Sequence, residues 1–175
     1  AANRFAFKDL NRNGKLDRYE DWRLSPQERA ADLASKMSVD QIAGLMLYSG
    51  HQSIPSMGGW RGPVLYGGKP FAESGALPSD LSDSQKKFLE DDNLRHVLIT
   101  SVESPGIAAQ WNNKAQAMVE GLGMGIPINT SSDPRHGLSS YAEFNVTGAD
   151  ISIWPETLGL AATFDPEVMK LFGDI

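Results

Sequence analysis

The 175-residue sequence contains no cysteine, so neither disulfide bonds nor thiolate metal ligands are available to it. It also lacks a basic stripe: its formal charge is −6, which argues against a nucleic-acid partner. Its longest apolar run, Ile42 to Tyr48, is far shorter than the roughly 18–20 residues of a membrane span. These absences exclude nucleic-acid-binding and membrane-spanning proteins from the function classes that we expect.

The composition that remains is that of a soluble domain with a core. The chain is 41% hydrophobic and 22% charged, and it has four Trp and seven Phe. Its first residues, AANRFAF, lack the charged and apolar regions of a signal peptide. The chain is therefore either cytosolic or has lost a leader. The last residues, EVMKLFGDI, stop inside a predicted helix, which favours the front part of a larger protein.

Two capping boxes predict the first helices. Ser25, Pro26 and Glu28 start one helix, and Ser38 with Gln41 starts the next. Residues 49–80 are crowded with Gly, Pro and Ser, and we expect a long loop there.

Regular structure is predicted again after residue 80. The expected order is a short helix in SDSQKKFLEDDN, a strand from Val97 to Val102, a helix opened by Ser104 or Pro105, a strand in IPINTS, and a last helix begun by Asp165 and Pro166. On the long helix, Trp111 and its neighbours at helical spacing form an apolar side, and we expect Trp111 and Trp154 to lie in the core. Strands that alternate with helices predict parallel βα units.

The stretch DLNRNGKLDRYE, residues 9–20, has the residue pattern of an EF-hand calcium loop. Oxygen-bearing side chains stand at loop positions 1, 3, 5, 9 and 12, position 7 offers a carbonyl, and position 6 is Gly14. The predicted ligands are Asp9, Asn11, Asn13, Lys15 through its carbonyl, Asp17 and Glu20. The alternative is an Asx-type turn without an ion. Only DWRLS separates Glu20 from Pro26, so we interpret the ion as a structural staple and not as a switch.

A second candidate site follows the strand IPINTS. Asp133, Arg135 and His136 stand directly after it, and ligands of parallel α/β proteins bind at the carboxyl ends of strands. A carboxylate there can accept hydrogen bonds from two vicinal hydroxyls of a polyol. The alternative is an ordinary Asp-Pro turn that ends at Gly137.

Three segments carry a resemblance to a known family: ADLASKMSVDQIAGLM, WNNKAQAMVEGLGMGIPINTSSDPRHG and WPETLGLAATFDPEVM. Together they resemble the N-terminal part of glycoside hydrolase family 3, typified by secreted β-glucosidases, over about residues 25–175. Some members also resemble this chain in an Asp/Asn-rich loop ahead of the barrel. The resemblance implies an α/β fold, the incomplete front of a (β/α)8 TIM-like barrel, preceded by an arm over residues 1–24.

The resemblance implies a retaining, exo-acting β-glucosidase that removes terminal β-D-glucosyl residues from oligosaccharides or glucosides. By matching position, Asp133 would grip glycone hydroxyls, with Arg135 and His136 in support. Trp60, an aromatic residue in the Gly-rich loop, is our candidate for a sugar platform.

The family's nucleophile and acid/base come from regions that do not match this sequence, and Asp21 in EDW resembles the nucleophile's motif only superficially. We therefore expect no catalytic residue in this segment, and no activity without the remainder of the polypeptide. Calcium is the expected cofactor, with no organic cofactor, and the expected location is periplasmic or secreted.

Several alternatives remain open at this point. The rival functions are a calcium-binding scaffold module and a carbohydrate-recognition protein without catalysis. Within the enzyme interpretation, β-xylosidase and β-N-acetylhexosaminidase activities are variants. The sequence is also compatible with a homodimer.

Overall fold

The computed structural model describes residues 6–57, 62–132 and 154–175. It is a mixed α/β structure with a short parallel sheet. The helices of the described residues are α1 Pro26–Lys36, α2 Val39–Leu45, α3 Phe71–Ser74, α4 Asp83–Glu90, α5 Pro105–Glu120, α6 Thr157–Ala161 and α7 Pro166–Asp174, after a 3-10 turn at Arg18–Glu20. The strands are β1 Gln52–Ile54, β2 Leu65–Tyr66, β3 Lys69–Pro70, β4 His96–Val102 and β5 Asn129–Ser132. None of these helices is both long and apolar enough to cross a membrane.

The capping signals place the helix starts correctly. The hydroxyls of Ser25 and Ser38 accept from the third backbone N–H of α1 and α2, as predicted. The hydroxyl of Ser104 caps α5 and a carboxylate oxygen of Asp165 caps α7, again as predicted.

Strand β4 is the middle strand of the sheet, whose order is β1-β4-β5 with both pairs parallel. His96 pairs with Asn129 and Ile99 with Ser132, so β4 and β5 run side by side from their first residues. The predicted parallel βα arrangement is confirmed here, with α5 as the crossover from β4 to β5.

Helix α5 covers one face of this sheet and forms the core with it. Val97 of β4 and Trp111, Ala115 and Val119 of α5 are fully buried in one apolar cluster that also contains Ile128. A buried aliphatic side chain of this kind contributes about 1.5–3 kcal/mol. The prediction that Trp111 lies in the core is confirmed. Trp154 is only half-buried and contacts the ring of Phe172 edge-on, at 5.4 Å between centroids.

Residues 49–80 differ from the predicted loop. They contain β1, the hairpin β2–β3 and the one-turn helix α3. The prediction was wrong for β1 because a three-residue strand has no detectable period, and its pairing with β4 is a long-range contact. The strand in IPINTS is also shorter than predicted, since Pro127 has no N–H and pairing begins only at Asn129.

Arg95, directly before β4, joins three segments. Its Nη1 donates to the carbonyls of Leu89 and Leu94, and its Nε donates to the carbonyl of Ile126, over 2.7–3.1 Å. The residue is 5% exposed, and burial lowers the pKa of its guanidinium. The side chain thereby connects the end of α4, the start of β4 and the approach to β5.

The hairpin β2–β3 is tied to α4 by one carboxylate. Gly67 and Gly68 turn between the strands with φ of +61° and +79°, as a two-residue hairpin turn requires. Their N–H groups each donate to a carboxylate oxygen of Asp83, at 2.8 Å. The N–H groups of Gly68 and Gly67 lower the pKa of Asp83.

This carboxylate gives the hairpin a pH dependence. A lowered pKa in the fold means that the stabilisation is present above the ordinary value of 3.8 and is lost as the pH falls through the lower folded value. At about pH 5, Asp83→Asn should speed hydrogen exchange at Gly67 and Gly68 by roughly 2- to 10-fold, the worth of one hydrogen bond. As the pH falls below 3.8 the difference between the two proteins should shrink, because the Asp83 carboxylate becomes protonated. Asp91→Asn, at the other end of α4, is the control. If Gly67 and Gly68 exchanged equally fast in Asp83→Asn and in the unmodified protein at about pH 5, Asp83 would not hold the turn.

Candidate functional site

The predicted ion loop is fully described, and its turn is organised by Asp9. One carboxylate oxygen of Asp9 accepts from the N–H of Asn13 at 3.0 Å and the other from the N–H of Gly14 at 2.8 Å. Gly14 has a φ of +75°, a conformation that a residue with a Cβ rarely adopts. The loop thus closes around its first carboxylate.

The other loop carboxylates also accept from donors of the loop itself. The side-chain amides of Asn11 and Asn13 both donate to Oδ2 of Asp17, at 2.6 and 2.7 Å. Glu20 is 6% exposed and accepts from the N–H of Leu10 at 2.7 Å and of Asp17 at 2.9 Å. Within the described ranges, no three His, Asp, Glu or Cys side chains converge as metal ligands. The structure therefore shows a self-bonded loop.

The donor set of this loop nevertheless fits a hard cation. Three carboxylates and two carboxamides stand in one twelve-residue loop, and oxygen ligands are what Ca²⁺ takes in proteins. The Lys15 N–H bonds to Oδ1 of Asn13 at 2.8 Å, so the backbone at position 7 is already ordered by the loop.

Tyr19, inside the loop, has a buried hydroxyl without a partner. The residue is 4% exposed, and its hydroxyl makes no hydrogen bond within the part of the chain that the structure describes. Burial, together with the charges of Glu20 and Asp17, raises its pKa to about 12. The ring therefore stays neutral at ordinary pH beside the loop carboxylates.

The arm that carries the loop is fastened to α1 and to the end of α5. The Tyr19 N–H donates to Asp32 at 3.1 Å, and Arg29 donates to the Tyr19 carbonyl at 2.9 Å. A Cβ on Gly125 would lie 2.7 Å from the side chain of Leu10, so only glycine permits this approach. The loop thereby rests on the connection between α5 and β5.

Asp21 lies just outside the loop and is already paired. Arg23 donates to both of its carboxylate oxygens, at 2.7 and 2.6 Å. These bonds lower the pKa of Asp21 to about 2. Both carboxylate oxygens of Asp21 are thus held in an ion pair on the N-terminal arm.

The second candidate site follows β5, and its side chains lie outside the described residues. Asp133, Arg135, His136 and Trp60 belong to residues 133–153 and 58–61. What the structure describes is the edge of the sheet that leads to them. β1, β4 and β5 end at Ile54, Val102 and Ser132, and parallel strands end at the same edge of a sheet.

An open cavity of about 460 Å³ lies elsewhere, between the hairpin β2–β3, α4 and α5. Lys114 in its wall bonds to Asp80 at 2.6 Å, and this bond lowers the pKa of Asp80. Of the described residues that line the cavity, Asp80 is the one with a carboxyl group, and that group is committed to the ion pair with Lys114.

Sequence reasoning missed a polar cluster on the face of the sheet away from α5. The ring of Tyr48 stacks on that of His96, and its hydroxyl bonds to that of Ser131. Asn129 lies 3.3 Å from Nδ1 of His96. These residues are far apart in the chain and meet only through strand register, so no local pattern could have indicated them.

Comparisons with known proteins agree with the resemblance seen in the sequence. The chain is 40% identical over 173 residues, 99% of its length, to a periplasmic beta-glucosidase/beta-xylosidase of Dickeya chrysanthemi, of which it covers 24%. It is similar to known β-glucosidases. The probable beta-glucosidase C of Aspergillus oryzae is 25% identical over 94% of the chain and 23% of its own length. The beta-glucosidase C of Emericella nidulans is 27% identical over 95% of the chain and 24% of its own length.

The chain therefore spans about a quarter of the length of the curated relatives that it matches. No family model matches it.

The lack of a hydrogen-bond partner for the Tyr19 hydroxyl in the described residues leads to a prediction about stability. Tyr19→Phe should leave the free energy of unfolding unchanged or raise it by up to about 1 kcal/mol, because no hydrogen bond is lost. Tyr66→Phe is the matched control: the Tyr66 hydroxyl accepts from the Ser56 N–H and donates to the Ser56 carbonyl, at 2.9 and 3.0 Å. That variant should lose about 1–2 kcal/mol in urea unfolding. If Tyr19→Phe lowered the free energy of unfolding more than Tyr66→Phe does, the Tyr19 hydroxyl would have a hydrogen-bond partner after all.

Proposed function

We propose that this chain is part of a retaining, exo-acting β-glucosidase that hydrolyses terminal β-D-glucosyl residues of oligosaccharides or glucosides. The observation that carries the proposal is the 40% identity over 173 residues to a beta-glucosidase/beta-xylosidase. Because the name of that relative also includes beta-xylosidase, β-xylosidase activity should be measured alongside β-glucosidase activity. The substrate is a β-linked glycoside, and the remainder of the polypeptide is the partner of this segment.

In this proposal the chain forms the first part of a (β/α)8 barrel, the N-terminal barrel domain of glycoside hydrolase family 3. The parallel order of β1, β4 and β5 and the crossover through α5 support it, because alternating strands and helices are the units of such barrels. The active site of a barrel lies at the carboxyl ends of its strands, which is the edge formed by Ile54, Val102 and Ser132.

The segment supplies glycone-binding residues in this enzyme. Asp133, the residue after β5, would accept hydrogen bonds from glycone hydroxyls remote from the anomeric carbon, with Arg135 and His136 in support and Trp60 as a sugar platform. Binding energy from such remote hydroxyls orients and distorts the sugar at the reacting carbon. The nucleophile and the acid/base are supplied by other parts of the polypeptide, so the segment by itself is inactive.

The N-terminal loop is in this proposal a structural calcium site. Asp9, Asn11, Asn13, Asp17 and Glu20 would hold the ion through side-chain oxygens and Lys15 through its carbonyl. The ion would neutralise the loop carboxylates and fix the arm against α1 and the connection before β5. Sites of this kind with modest affinity fill where calcium is abundant, which fits a periplasmic or secreted enzyme. The periplasmic name of the relative supports the same location.

The role of Asp133 can be measured in the full-length enzyme. Asp133→Ala should lower kcat/KM for an aryl β-glucoside by about 100-fold or more, roughly 3 kcal/mol of transition-state stabilisation. Asp165→Ala is the control, because it removes the other Asp-Pro carboxylate, which caps α7 through the Glu167 N–H at 3.0 Å. Normal kinetics for Asp133→Ala would remove this residue from the site. Glycan binding by the unmodified enzyme without hydrolysis would instead support a carbohydrate-recognition protein.

The calcium site can be measured without activity. Terbium luminescence excited through Tyr19 should report the bound ion, and Glu20→Gln should weaken binding at least about tenfold because a charged bidentate ligand becomes neutral. Asp21→Asn is the control: it removes a charge of the same sign next to the loop, but from a carboxylate that is paired with Arg23. Equal binding by all three proteins would show that the loop is a polar turn and not an ion site.

A further inference from the structure

The peptide bond between Asn13 and Gly14 joins two groups that can react with one another. Asn13 is the only asparagine of the sequence that is followed by glycine. The backbone nitrogen after an asparagine can attack the side-chain Cγ, and a glycine there has no Cβ to obstruct the approach. The product is a five-membered imide, which water opens to aspartate or isoaspartate. Asn13 and Gly14 are both exposed, so water reaches them.

The side-chain amide of Asn13 is held at both of its polar atoms. Attack at Cγ turns the oxygen Oδ1 into an oxyanion, and the Lys15 N–H already donates to this oxygen at 2.8 Å. A donor in place at a developing oxyanion lowers the barrier to attack. The leaving nitrogen, Nδ2, donates to Oδ2 of Asp17 at 2.7 Å. The loop therefore fixes the amide in an arrangement that favours its loss.

The attacking nitrogen, by contrast, is engaged by Asp9. The Gly14 N–H donates to Oδ2 of Asp9 at 2.8 Å, and the Asn13 N–H donates to the other carboxylate oxygen at 3.0 Å. The Gly14 nitrogen must lose its proton to form the new bond, and a negative carboxylate beside it disfavours the anionic form. This hydrogen bond must therefore open before the nitrogen can react.

We infer that Asn13 is a site of spontaneous deamidation and that Asp9 keeps the rate of this reaction low. The Gly14 nitrogen gives up its proton and forms a bond to Cγ of Asn13, while the bond from Cγ to Nδ2 breaks and ammonia leaves with that proton. Water then adds to one carbonyl of the imide. The net change converts one asparagine and one water to one aspartate or isoaspartate and one ammonia. The inference does not depend on the proposed function.

The modification changes the loop that carries it. A carboxylate at position 13 removes the amide donor from which Asp17 accepts, and it places a second negative charge at the same contact. Isoaspartate also adds one carbon atom to the backbone of the turn at Gly14. Deamidation therefore weakens the closure of the loop on its Asp17 side.

Mass spectrometry of the full-length protein, aged at mildly alkaline pH, tests the inference. Asp9→Ala should convert Asn13 about tenfold faster than the unmodified protein, because the bond from Gly14 to a charged acceptor no longer has to open. Isoaspartate should accumulate together with aspartate at this position, since both arise from the imide. Asn93, which precedes Leu94, is the internal control, and its conversion should be the same in both proteins.

Asp17→Ala is the matched control variant. It removes another loop carboxylate, one that accepts from the side chain of Asn13 and not from the Gly14 N–H, and it should raise the rate by no more than about twofold. An equal rise in Asp17→Ala and Asp9→Ala would show that any opening of the loop exposes Asn13. An unchanged or slower rate in Asp9→Ala would show that Asp9 does not restrain the reaction, and an unconverted Asn13 in all proteins would show that it is no such site. Each of these results overturns the inference. Where Asp9→Ala does not fold, Asp9→Asn takes its place, since it loses the charge and keeps one acceptor oxygen, and the rate should still rise.

Discussion

The buried contact between β4 and α5 is the constraint on which the other contacts of the sheet depend. A parallel sheet needs its face covered, and Val97 and Trp111 are fully buried in the cluster that provides the cover. β1 and β5 are then placed by their pairing with β4, and the carboxyl ends of all three strands meet at one edge. The position of that edge follows from the apolar contact between β4 and α5, and ligands of parallel α/β proteins bind at such an edge.

Polar side chains connect helices, strands and loops outside this apolar core. Arg95 joins α4, β4 and the approach to β5, Asp83 joins the hairpin to α4, and Gln116 of α5 bonds to both backbone groups of Ile128. In each case a side chain supplies partners to backbone groups that regular structure leaves over. The groups at Leu89 and Ile128 are also buried, which makes them expensive to leave unpaired. These bonds set the register of short strands that have little pairing of their own.

In the N-terminal arm, the carboxylates are hydrogen-bonded by groups of their own loop. Asp9, Asp17 and Glu20 accept from N–H groups of their own loop, and Glu20 does so while almost fully buried. These hydrogen bonds hold the loop closed around its carboxylates. The same residues are the donor set of the proposed calcium site, so the loop can be ordered by its own amides and still offer oxygen atoms to an ion.

The sequence by itself determined the features that depend on near neighbours. Helix caps at Ser25, Ser38 and Ser104, the apolar side of α5 around Trp111 and the parallel order of strand and helix were all predictable, since they follow from spacing within a few residues. The resemblance to β-glucosidases also came from the sequence, and the comparisons agree with it. Whether Asp133 binds sugar and whether the loop holds calcium stay predictions.

Only the tertiary structure decided the contacts between distant residues. β1 lies in a stretch predicted to be a loop, because its three residues gain their structure by pairing with residues of β4 that lie 47 or 48 positions later. Gln116 and Arg95 have no local signature, and their roles exist only because α5 and the turn before β4 bring them to Ile128 and Ile126. Long-range backbone pairing is not encoded in any short window of residues, and the chain must fold before such partners meet.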